Sequence, residues 1–196
     1  VVGPMRPLRT ALVLAVLGGM ACWAHAANTF IQPGPTDGKD TWIWDQEDYS
    51  HGDWAELRAN DTSEHNQFIL VEFDITAVPS TDDIGGAELG LYLYDCYSSS
   101  STLTLDVHPV TSGWSESVTW SGRPSFGPTM ASATTTPGTG YFVTWDVTNL
   151  VSEWHTGART NYGMAVYDHG TDYFQRFVSS DNATSPDPSW AIPPSD

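Results

Sequence analysis

The 196-residue chain carries 24 Asp and Glu against 7 Lys and Arg, a formal net charge of −17. Such a surface repels nucleic acid and anionic lipid, and it disfavours strongly acidic polymers unless divalent cations bridge the two. The length suits one domain with a core of real size.

The first element is a leader. Arg6 and Arg9 precede the apolar run Ala11 to Leu17, and Ala24-His25-Ala26 supplies a small-x-small cleavage pattern. Residues 1–26 therefore read as a signal peptide with a short N-terminal extension, and the product is expected to be extracellular, secreted and free of the membrane once the signal is removed. The apolar run is too short for a finished span, which takes about 20 residues. Cys22 leaves with the leader, so Cys96 stands alone and an internal disulfide is ruled out.

Beyond the leader, short runs of Val, Leu, Thr, Tyr, Phe and Trp alternate with Gly, Pro, Ser and Asp clusters, the punctuation of a sandwich. Strands are predicted at 29–32, 40–44, 54–58, 67–74, 87–95, 102–108, 141–147, 162–168 and 173–179, with a last one near Trp190. Leu89, Leu91 and Leu93 share one face of theirs, with Glu88, Tyr92 and Tyr94 opposite. Phe68-Ile69-Leu70-Val71 is apolar on both faces, which predicts a central strand covered on both sides. Val147, Leu150, Val151 and Trp154 follow helical spacing behind Asp146 and Thr148, and Gly157 follows them. The fold class is thus all-β, a jelly-roll sandwich of roughly ten antiparallel strands with one short helix. Ser98 to Ser101 and Thr134 to Gly140 are expected to be exposed turns, and residues 193–196 a flexible tail.

Several segments carry a family pattern. Asp40-Thr41-Trp42-Ile43, His51-Gly52-Asp53-Trp54-Ala55-Glu56-Leu57, Ile69 to Asp74 and Ala87 to Leu93 follow one another in the order and spacing of the DNRLRE domain. Gly113-Trp114-Ser115-Glu116-Ser117-Val118-Thr119-Trp120 with Arg123-Pro124, then Trp145-Asp146-Val147-Thr148 through Trp154, Gly157 and Asn161-Tyr162-Gly163, continue it. Residues 27–192 resemble that domain, which is similar to β-sandwich carbohydrate-binding modules. The resemblance implies a non-catalytic extracellular jelly roll. This chain differs in placing Ser50-His51-Gly52 where the family often has Asn-Tyr-Gly, and in having few basic residues for an acidic polysaccharide.

Sugar binding needs flat aromatic faces, and the chain has nine Trp and eight Tyr. Trp42 and Trp44 share a strand face, as do Tyr92 and Tyr94, so these four are the candidate platform; the alternative is that they pack under loops or the helix. Asp45, Glu47, Asp48 and Asp53 lie in one short loop and form the candidate metal site. Carboxylate oxygens of this kind suit calcium, and the alternative is a simply solvated loop. No nucleophile elbow, zinc-binding or paired-cysteine motif occurs, so no catalytic residue is assigned and no organic cofactor is expected. The partner is expected to be a polysaccharide. The second function class is a structural subunit of an extracellular matrix or filament, partnered by self-association and dependent on calcium.

Overall fold

The computed structural model describes residues 11–17, 27–61, 64–96, 102–168 and 171–182. Along the chain run β1 (Ala11–Leu17), β2 (Ala27–Ile31), β3 (Lys39–Trp44), β4 (Glu56–Asp61), β5 (Asn66–Glu72), β6 (Asp83–Cys96), β7 (Thr104–Pro109), β8 (Ala131–Thr134) and β9 (Tyr141–Asp146). The helix α1 (Thr148–His155), β10 (Met164–Asp168) and β11 (Thr171–Val178) complete it. The fold is the expected all-β sandwich with one helix. The strand expected near Trp190, the serine tract up to Ser101, the cleavage pattern and the tail lie outside the described residues.

Every strand pairing is antiparallel, in the order β2-β1-β6-β11-β4-β5-β10-β7-β8, with β3 on β5 and β9 on β6. The sheet turns its corner at β5. Gln67 pairs with Trp44 of β3 on one edge and with Asn60 of β4 on the other, and that second edge passes to β10 from Ile69 onward. The β4–β5 hairpin therefore joins two facing halves, β3-β5-β10-β7-β8 and β9-β6-β11-β4, into a nearly closed barrel. Across the interior, Trp145 Nε1 donates to the Leu105 carbonyl at 2.8 Å.

Alternation decides what fills the space between the halves. Leu89, Leu91 and Leu93 of β6, Leu57 and Ala59 of β4, Ile69 and Val71 of β5, and Phe177 of β11 all enter one core. Leu150, Val151 and Trp154 of α1 close one side of it. Fully burying such a Leu or Val contributes about 1.5–3 kcal/mol. Opposite faces of β3, β5 and β10 send Ile43, Leu70 and Ala165 into a second cluster, roofed by Trp114, Trp120 and Phe126. The double-sided reading of Phe68 to Val71 is thereby explained.

Several boundaries differ from expectation. β8 was not anticipated, because the apolar positions of Ala-Ser-Ala-Thr are only the small Ala131 and Ala133, a weak signal; they pack against the core once the strand pairs with β7. Trp54 precedes β4 in a turn closed by its N–H to the His51 carbonyl at 3.1 Å. Asp146 does not cap α1. It accepts from the Thr148 N–H and hydroxyl, and the N-cap is Val147. Ala11–Leu17, the apolar run expected to belong to a leader, lies as β1 between β2 and β6. Gly163 needs its lack of a side chain: its φ is +82°, and a Cβ there would stand 2.1 Å from the Val71 carbonyl oxygen.

Candidate functional site

Three neighbouring strands build a cleft. β11 lies between β4 and β6, with Val178 paired to Glu56 and Phe177 to Leu93. Their inward residues, Leu57, Leu93 and Phe177, belong to the core, so Glu56, Arg58, Tyr94 and Arg176 face outward. At this end the sheet surface opens into a shallow cleft of about 580 Å³, lined by Asp53, Trp54, Ala55, Glu56, Tyr94, Val178 and Asn182. That volume falls within the roughly 300–1,000 Å³ of sites that take small ligands.

Glu56 organises the floor. Its Oε1 accepts from Arg58 Nε at 2.7 Å, and its Oε2 accepts from the Tyr94 hydroxyl. Arg176 Nε stands 4.0 Å from Oε2, while its Nη1 pairs with Asp95 at 3.3 Å. Burial alone would raise the Glu56 pKa. The hydrogen bonds from Tyr94 and Arg58 and the two guanidinium charges outweigh it and hold the carboxyl below its ordinary range. Tyr94 is shifted upward by burial and by the same carboxylate, so its hydroxyl stays protonated as a donor.

Behind the floor lies an aromatic wall. Trp54 meets Trp42 edge-on at 5.5 Å and His51 edge-on at 4.9 Å, and the Arg58 guanidinium lies 5.6 Å from the Trp54 ring centre. Trp54 is half-buried and lines the cleft. It thereby supplies a ring held rigidly from behind.

The four expected platform residues separate. Tyr94 lines the cleft. Trp42 has no exposed surface and sits in the core, because that face of β3 points inward rather than to solvent. Trp44 is half-buried, 6.4 Å from Trp42, and packs against the same core. Tyr92 shares Tyr94's face, yet it is only 5% exposed, with Phe142 edge-on at 5.1 Å. Trp54, Glu56 and Asn182 were missed. The sole signal for Trp54 was its place in the Asp53-Trp54-Ala55-Glu56 segment of the family pattern.

The four expected metal ligands also go separate ways. Asp45 accepts from Gln46 and Asn66, Glu47 faces His51 at 3.3 Å, Asp48 accepts from the Ser121 N–H and hydroxyl, and Asp53 reaches the cleft. The Ser121 N–H, then hydroxyls of Thr119 and Ser121, hold Asp48 below its ordinary range. Among the described residues, the acids that do converge are Asp40, Glu116 and Asp181, with one oxygen from each within 4.8 Å of the others. Asp40 is only 3% exposed, and its oxygens already accept from the Ser179 hydroxyl (3.1 Å), the Ser180 hydroxyl (3.0 Å) and the Ser180 N–H (2.8 Å). Burial and the Asp40 charge push Glu116 upward, against the hydrogen bond it accepts from the Asp40 N–H.

His51 supports the wall from within. It is 1% exposed, stacks on Trp42 at 3.8 Å and meets the Trp42 carbonyl through Nδ1 at 3.1 Å. Burial lowers its pKa below the ordinary 6.5, with the Arg58 charge adding to the effect and Glu47 and the Trp42 carbonyl opposing it. On acidification the unfolded chain therefore takes up the proton first. The His51 contribution to stability is complete above pH 6.5 and is lost as pH falls toward its folded-state pKa. Melting temperatures from about pH 7.5 to about pH 5 should fall more steeply for the wild type than for His51→Gln. Parallel curves would remove His51 as the cause.

The sequence model of carbohydrate-binding module family 96 matches residues 35–193, which span every cleft residue. No curated protein matches the chain.

Proposed function

Because the chain belongs to carbohydrate-binding module family 96, we propose that it is a secreted, non-catalytic binding protein for extracellular polysaccharide, of the DNRLRE type, and that the cleft between Trp54 and Tyr94 is its sugar site. The observation that carries the reading is the cleft itself: a rigidly backed indole beside a fixed tyrosine hydroxyl, a carboxylate and the Asn182 amide. A pyranose lays its apolar face on an aromatic ring and offers its hydroxyls to polar groups around the rim. The leader pattern of residues 5–26 supports secretion. The state of Glu56 supports binding over hydrolysis, since a glycosidase acid needs a raised pKa and that of Glu56 is lowered.

The test is a panel of soluble polysaccharides run against protein recovered from culture medium, with its N-terminus, expected at Ala27, read by mass spectrometry. Ring stacking is worth about 1–3 kcal/mol by analogy with bases on aromatic side chains. Trp54→Ala should therefore weaken the best ligand about ten- to a hundredfold, and Trp54→Phe much less. Unchanged binding by a folded Trp54→Ala protein would move the site elsewhere.

A further inference from the structure

We infer that the cleft selects glycans bearing protonated amino groups, with Asp53 as the residue that selects them; this rests on the sugar-binding reading of the same cleft. Among the described residues, the lining contains two carboxylates, Asp53 and Glu56, and no Lys, Arg or His. The guanidiniums nearest to it are committed. Arg58 is bound to Glu56 and lies 4.6 Å from the Trp42 ring centre, and Arg176 stands between Glu56 and Asp95. Among the described residues, nothing positive in the lining is left to receive a carboxylate or sulfate on a sugar.

The two acids are not equivalent. Both oxygens of Glu56 are taken by Arg58 and Tyr94, so its charge is answered from within the sheet. Asp53 is exposed on the rim beside Trp54 and makes no ion pair among the described residues. A ring stacked on Trp54 would bring its substituents to this carboxylate. An ammonium there gains the Asp53 charge and the negative face of the indole together, an acetamide gains neither, and a uronate meets repulsion. The formal net charge of −17 acts at longer range in the same direction.

The experiment uses three oligosaccharides of one length: β-1,4-linked glucosamine, its fully N-acetylated counterpart, and a uronic acid oligomer. Titration calorimetry at about pH 5.5 keeps the amines charged. The glucosamine oligomer is expected to bind about tenfold more tightly than the acetylated one, and the uronate most weakly. Asp53→Asn should bring the first ratio to within about twofold of unity. Glu88→Gln, six residues along β6 from Tyr94 and also exposed, controls for adsorption of a polycation to an acidic protein and should keep the preference. An equal loss in both variants would show that bulk charge is responsible and overturn the assignment to Asp53. Equal binding of amine and acetamide, or tightest binding of the uronate, would overturn the charge selection and leave the sugar site standing. If no polysaccharide of the wider panel is retained either, the sugar-binding reading falls and this inference with it.

Discussion

Truncating Trp42 to Ala is expected to destabilise the fold by about 3–5 kcal/mol, the range for removing a large aromatic from a packed core. The indole has no exposed surface. His51 stacks on it at 3.8 Å, Trp54 meets it edge-on at 5.5 Å, and the Arg58 guanidinium lies 4.6 Å from its centre. Its loss leaves a cavity beneath the aromatic wall and deprives a buried imidazole of its stacking partner. Domains of this kind have only about 5–15 kcal/mol in hand, so a substantial unfolded fraction is expected at physiological temperature. Denaturant titration would measure it. A loss under 1 kcal/mol accompanied by lost sugar binding would restore Trp42 to the ligand surface.

The second large effect is expected at Asp40. Its carboxylate joins the start of β3 to the turn after β11, through three hydrogen bonds from Ser179 and Ser180. A backbone N–H and two hydroxyls lose their acceptor in Asp40→Ala, and each buried group left unmatched costs about 1–3 kcal/mol. Repulsion from Glu116 and Asp181 is relieved at the same time, so the net loss should be about 3–4 kcal/mol. Asp40→Asn separates the two contributions. It keeps an oxygen acceptor and removes the charge, and it should cost about 1–2 kcal/mol. An Asn variant as unstable as the Ala variant would mean that the charge, not the geometry, is what Ser179 and Ser180 require.

Trp42 also shows where sequence reading stops. Alternation correctly placed Trp42 and Trp44 on one face of β3 and Ile43 on the other, but both faces are apolar and covered, so periodicity could not say which one meets the core. On β6 the same rule succeeded, because Leu89, Leu91 and Leu93 against Glu88, Tyr92 and Tyr94 leaves no doubt about the inner face. It still could not distinguish Tyr92 from Tyr94, since Phe142 comes from β9, which is remote in sequence. The cleft was beyond reach for the same reason. Trp54, Tyr94 and Asn182 meet because β11 inserts between β4 and β6, a long-range pairing that no local pattern encodes. The helix, by contrast, was legible from its own residues, since Leu150, Val151 and Trp154 form one buried stripe.

The position of β11 bears on how the protein is made. The last described strand fills the gap between β4 and β6, two strands formed much earlier along the chain. Until the ribosome releases it, both neighbours present bare edges, and the core lacks Phe177. The nascent chain therefore cannot close its sheet stepwise from the N-terminus. Closure of the sheet waits for Thr171–Val178, made after the other described strands. A premature stop before Thr171 would yield two unpaired edges in place of a smaller domain. Val178 and Asn182 line the cleft, so the binding surface comes into existence only with that closing step, and a truncated product cannot compete for ligand.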